Sequence, residues 1–92
     1  MFDRIEFSPH AEQRLAERPE VSRAMVEETI RRAEQRFADP RNPTRWIAHR
    51  RFERSRGPVL VRVFYIQHAD GRAEVVSFYR TPRIERYWRA DR

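Results

Sequence analysis

The sequence predicts an α+β domain with two N-terminal helices packed on a small antiparallel sheet of three to four strands, and a short C-terminal helix. Three observations carry that prediction. Apolar residues recur at helical spacing up to about residue 37, and beyond residue 44 they alternate with polar ones at strand spacing. An Asp70-Gly71 dipeptide then separates the last two alternating runs, as a tight hairpin turn requires. A chain of 92 residues builds one hydrophobic core, so residues 1–92 form a single domain.

Residues 3 to 7 read as a short strand, with Ile5 and Phe7 alternating against Arg4 and Glu6. Ser8-Pro9 opens a first helix, Pro9 to Arg18, because a serine oxygen satisfies free first-turn amides and proline suits the first helical position. Pro19 stops it, and Ser22 caps a second helix over Arg23 to Arg36. Val26, Ile30, Ala33 and Phe37 supply its buried stripe, while Glu27, Glu28, Arg31, Arg32 and Gln35 face water. Glu27 with Arg31, and Glu28 with Arg32, are spaced as i,i+4 ion pairs. The segment from Ala38 to Thr44, with two prolines and no apolar period, is a loop. Strands follow over Arg45 to Phe52, Val59 to His68 and Glu74 to Arg80. Thr81-Pro82 repeats the cap-then-proline pattern and starts the C-terminal helix, where Ile84 and Trp88 share a face.

Counting outward from a two-residue turn at Asp70-Gly71, Arg62 lies opposite Tyr79, Phe64 opposite Ser77 and Ile66 opposite Val75. On the other face Val61, Val63 and Tyr65 meet Arg80, Phe78 and Val76, so that face packs under the helices. Arg62 is the only charge in the apolar run from Pro58 to Ile66, and a charge there needs a partner or a task. It either snorkels from the sheet edge, pairs with a helix glutamate, or joins Tyr79 and Thr81 on the same face to meet phosphate oxygens.

The chain has no cysteine, which excludes disulfides, thiolate metal sites and a cysteine nucleophile. Its N-terminus is too charged for the apolar run of a signal peptide, and no span approaches the roughly 20 apolar residues that cross a bilayer. A cytoplasmic location is expected. Net charge is +6, and all twenty basic residues are arginine. GC-rich coding accounts for the choice of arginine over lysine, whereas guanidinium forks also suit phosphate. The excess charge itself favours a polyanionic partner, with nucleic acid foremost.

His10, Arg14 and Arg18 stand at i, i+4 and i+8 on one side of the first helix. An imidazole that titrates near neutrality beside a guanidinium is usable as a general acid or base next to a phosphate clamp. Surface residues of an ordinary helix have the same spacing. His49 and His68 fall in separate strands without metal-ligand spacing, and no cofactor is implied.

Phe7-Ser8-Pro9-His10-Ala11-Glu12-Gln13-Arg14-Leu15-Ala16-Glu17-Arg18, then Val26 to Ile30, Val61 to Tyr65 and Val75 to Thr81, together resemble a small bacterial domain family. That family reads as a strand, an S-x-H-A-x-x-R-x-x-x-R helix, a second helix and a sheet ending in a T/S-x-Y strand. It is similar to the RelE/ParE-type toxin superfamily, which includes metal-independent ribonucleases. The chain departs from the toxin pattern in having no lysine, and in carrying Pro19-Glu20 where glycine is frequent.

The resemblance implies an endoribonuclease in which the substrate's own 2′-hydroxyl attacks the neighbouring phosphate. His10, Arg14, Arg62 and Tyr79 would form the catalytic set, and Arg18, Arg45, Arg50, Arg51, Arg80 and Thr81 would hold RNA. RNA, the ribosome and an acidic antitoxin protein are the partners it implies. A non-catalytic module that binds RNA or the ribosome, and a ParE-like protein-interaction subunit, stand as alternatives.

Overall fold

The computed structural model describes residues 2–90. In chain order the elements are β1 (Arg4–Phe7), α1 (Pro9–Glu17), α2 (Arg23–Arg31), β2 (Gln35–Ala38), β3 (Trp46–Phe52), β4 (Val59–Gln67), β5 (Arg72–Thr81) and α3 (Ile84–Tyr87). Both longer helices start where their caps predict. The Ser8 hydroxyl accepts the Ala11 amide at 3.1 Å with Pro9 in the first turn, and the Ser22 hydroxyl accepts the Met25 amide at 3.1 Å.

The sheet runs β1-β5-β4-β3-β2, with β1 parallel to β5 and every other pairing antiparallel. It is therefore a five-stranded mixed sheet, which corrects the expected antiparallel sheet of three to four strands. Two features cause the difference. The second helix ends at Arg31 rather than Arg36, and the chain from Gln35 becomes an edge strand against β3. Phe37 then packs opposite Ile47, and Gln35, expected to face water, is buried. The N-terminal strand does not form a hairpin with its sequence neighbour but returns alongside β5, where Asp3 N–H to Gly71 O at 2.9 Å and Ser8 N–H to Val75 O at 3.0 Å extend the ladder.

Helices α1 and α2 cover one face of the sheet. Ala11, Val21, Val26 and Ile30 close over Ala48, Val61, Val63, Tyr65, Ala73, Val75 and Phe78, all essentially without solvent exposure. Glu28 does not pair with Arg32 along the helix; it reaches across to Arg50 of β3 at 3.1 Å.

The β4–β5 hairpin closes with a three-residue loop, Ala69-Asp70-Gly71, bracketed by His68 N–H to Arg72 O at 2.8 Å and Gly71 N–H to His68 O at 3.1 Å. Gly71 takes φ +89°, the left-handed position such loops need. The extra loop residue shifts the near register by one, so Ile66 faces Glu74 rather than Val75. A bulge at Val76 shifts it back, restoring Phe64 opposite Ser77, Val63 opposite Phe78 and Arg62 opposite Tyr79.

The C-terminal helix begins later than its proline suggests. Thr81 Oγ1 accepts the Arg83 amide at 3.1 Å in a local turn, and α3 has no side-chain cap. No helix among the described residues is long and apolar enough to cross a membrane.

Candidate functional site

Strand alternation leaves the second face of the sheet to the residues that the helices do not cover. On that face the registers of four adjacent strands place Gln35, His49, Arg62 and Tyr79 in one row: Gln35 opposite His49, His49 opposite Arg62, and Arg62 opposite Tyr79. Their side chains bond in sequence. His49 Nδ1 meets Gln35 Oε1 at 3.0 Å, Arg62 Nε donates to His49 Nε2 at 2.9 Å, and an Arg62 terminal N–H donates to the Tyr79 hydroxyl at 2.6 Å.

Guanidinium groups only donate, so His49 Nε2 must be the bare nitrogen and Nδ1 the protonated one that donates to Gln35. His49 is wholly buried, and burial, reinforced by the charges of Arg62 and Arg89, lowers its pKa from 6.5 to about 4. It is therefore neutral at physiological pH. Burial also raises the Tyr79 phenol above its ordinary value, against the opposing hydrogen bond from Arg62, so Tyr79 stays protonated.

The end of α3 and the residues after it lie along this row. Tyr87 packs edge-on to Tyr79 at 6.0 Å between ring centroids, and Trp88 stacks on His49 at 6.2 Å. At the row's far end, Gln35 Nε2 donates to the Arg89 carbonyl at 2.5 Å, and the Arg89 amide donates to Gln35 Oε1 at 3.1 Å. The Arg62 guanidinium carbon sits 4.4 Å from the Tyr87 ring centre, 5.3 Å from Phe64 and 5.6 Å from Tyr79. Three aromatic faces thus steady one cation that has two of its five N–H donors in use.

An open cleft of about 720 Å³, within the roughly 300 to 1,000 Å³ of typical small-ligand sites, is lined by Arg62 and Tyr79 of the row. Tyr79, Phe64 and Tyr87 supply apolar surfaces to it, and Arg41 and Arg45, from the loop between β2 and β3, line it together with Arg62, Arg86 and Arg89. Asp39 is its single carboxylate, and one of its oxygens accepts the Arg41 amide at 2.9 Å. Among the described residues, none of these five arginines has a carboxylate within 4.0 Å, whereas Arg4, Arg14, Arg23, Arg50, Arg51 and Arg72 elsewhere on the surface each have one. A polyanion would meet concentrated, uncompensated charge there.

The expected catalytic set is not brought together. Arg62 and Tyr79 are in contact, but His10 and Arg14 lie on α1, which packs on the opposite face of the sheet through Ala11. His10 is exposed; the Arg14 side chain approaches its Nε2 at 3.4 Å and Glu17 at 3.5 Å. Of the residues expected to hold RNA, only Arg45 lines the cleft. Arg50 and Arg51 are neutralised by Glu28 and Glu34 at 3.1 and 3.0 Å, the latter carboxyl being held below its usual pKa mainly by its hydrogen bond from Arg51. Arg18 and Arg80 donate to the carbonyls of Phe78 and Glu20, and Thr81 serves the turn before α3. Snorkelling and pairing with a helix glutamate, the two structural expectations for Arg62, are both replaced by its bonds to His49 and Tyr79.

The residues that sequence reasoning passed over are His49, Gln35 and Tyr87. His49 shares strand parity with Ile47 and Arg51, which placed it on the Arg62 face once the pairing was known. No cluster of three or more candidate metal ligands occurs among the described residues. In comparisons with known proteins, no family model, no curated protein and no solved structure matches the chain.

Proposed function

We propose that this domain binds single-stranded RNA, seating the sugar-phosphate backbone in the cleft lined by Arg62 and Tyr79. The observation that carries it is the convergence of five carboxylate-free arginines, one clamped among three aromatic rings, on a single open cleft. Guanidinium forks match phosphate oxygens, and phenol rings offer surfaces for unpaired bases. If each arginine meets one phosphate, log affinity falls against log salt with a slope of roughly −3.5, from about 0.7 per phosphate on a single strand.

Fluorescence anisotropy with a labelled oligouridine RNA in EDTA tests this. Arg62→Ala and Arg45→Ala should each weaken binding about tenfold or more and flatten the salt slope by about 0.7. His10→Ala should leave both unchanged. An affinity that ignores the cleft variants, or falls on loss of His10, refutes the assignment. Stoichiometric binding of an acidic polypeptide with no RNA affinity would replace it by the protein-interaction function.

A second reading, metal-independent cleavage through 2′-hydroxyl attack, is favoured by the Arg62–Tyr79 contact. A cation beside a protonated phenol could stabilise the extra phosphorane charge and supply a proton to the leaving 5′-oxygen, the attacking 2′-hydroxyl giving its own proton to solvent. His49 does not complete that machinery as a base, because its one bare nitrogen, Nε2, already accepts from Arg62 and the ring is wholly buried. Total RNA incubated in EDTA and read on a denaturing gel decides it: cleavage by wild type but not by Tyr79→Phe or Arg62→Ala supports turnover in the cleft, and intact RNA leaves binding alone.

A further inference from the structure

Arg62 can serve the cleft only if its long side chain is held. Two acceptors hold it: the Tyr79 hydroxyl on one flank and His49 Nε2 on the other. His49 can accept only while its proton resides on Nδ1, and the Gln35 side-chain oxygen keeps it there. That oxygen also accepts the Arg89 amide, and the same side chain donates to the Arg89 carbonyl. One buried amide group therefore grips both the imidazole that orients Arg62 and the backbone that carries Tyr87 and Arg89 into the cleft. No buried side-chain polar atom among the described residues is left unpaired, so releasing one member exposes another.

The structure assigns His49 and Gln35 the role of positioning residues that couple the seating of residues 87–89 to the orientation of the Arg62 guanidinium. The cleft is then assembled only when the C-terminal stretch is docked on the row. Neither residue touches a ligand, since His49 is 0% and Gln35 7% exposed, and their effect on binding passes through Arg62 and the segment at 87–89. The coupling rests on the RNA-binding function proposed above, but its structural half can be measured without RNA.

A double-mutant cycle separates positioning from general stability. His49→Phe keeps a ring to stack on Trp88 and meet Phe37 edge-on while removing both nitrogen contacts. With Arg62 present it should weaken oligouridine binding about tenfold, and in an Arg62→Ala background by less than about twofold. Equal losses in both backgrounds, or none in either, overturn the assignment. Gln35→Leu is the second variant: its cost should be at least about threefold greater with Arg62 than without it.

Independently of RNA, the Arg62 Nε–H proton, bonded to a buried imidazole, should exchange slowly with solvent in wild type by NMR. In Gln35→Leu it should exchange at the rate of an exposed guanidinium. Retained protection there overturns the coupling. No RNA binding by wild type, together with protection in wild type that is lost in Gln35→Leu, refutes the RNA function and leaves the positioning role standing.

Discussion

Lowering the pH should destabilise this fold through His49 before any carboxylate contributes. In the unfolded chain the imidazole titrates near 6.5, whereas in the folded protein burial and the Arg62 and Arg89 charges lower it to about 4. Between those values the unfolded state binds a proton that the folded state refuses. Stability is therefore complete above about pH 6.5 and declines by about 1.4 kcal/mol per unit as the pH falls toward 4. The full interval corresponds to about 3 kcal/mol, a large share of the roughly 5 to 15 kcal/mol that holds a domain together.

Glu34 and Asp70 have lowered pKa values, and their contributions are lost only below their ordinary values of 4.5 and 3.8. The window from about pH 5 to 7 is consequently free of both. Urea unfolding of wild type and His49→Phe across that window should give a stability difference that changes by about 1.4 kcal/mol per unit below about pH 6 and levels off toward pH 7, because only wild type carries the imidazole. Parallel curves would mean that His49 titrates normally, and the neutral, doubly bonded imidazole would be refuted.

Other variants probe separate parts of the structure. Ile30→Ala empties a fully buried position under the sheet and should cost about 2 to 5 kcal/mol in urea unfolding. Gly71→Ala should lose at least about 1 to 2 kcal/mol, read as a lower Tm, since φ is +89° and the added Cβ would fall 2.5 Å from Asp3 Oδ2. Tyr79→Phe keeps the ring but removes an acceptor of Arg62; RNA affinity should drop about three- to tenfold while stability changes by about 1 kcal/mol.

Where local chemistry fixes the backbone, the structure was legible in the sequence. Ser8-Pro9 and Ser22 mark helix starts that the caps realise, and the alternation of Val61, Val63 and Tyr65 identifies the helix-covered face. Long-range pairing was not legible. Gln35-Arg36-Phe37-Ala38 continues the apolar period of α2, so only the presence of β3 as a partner makes it a strand. The hairpin carries two compensating departures, a longer loop and a bulge, and the Arg62–Tyr79 pairing was found because they cancel.

For the site, a lone charge in an apolar strand was a sound signal, since strand parity and a facing partner decide what such a residue meets. The i, i+4 spacing of His10 and Arg14 located a helix face and carried no information on which side of the sheet that helix lies. Gln35 was hidden by its assignment to the helix. The role of His49 depends on three strands at once, which no local pattern in one strand can reveal.

The seating of RNA in the cleft is tested most directly by titrating the isotopically labelled protein with oligouridine and following side-chain and amide resonances by NMR. Shifts should concentrate at Arg41, Arg45, Arg62, Tyr79, Tyr87 and Arg89 and leave His10 and Arg14 of α1 unmoved. Shifts centred on α1, or none at low salt, would contradict RNA binding on the open face of the sheet.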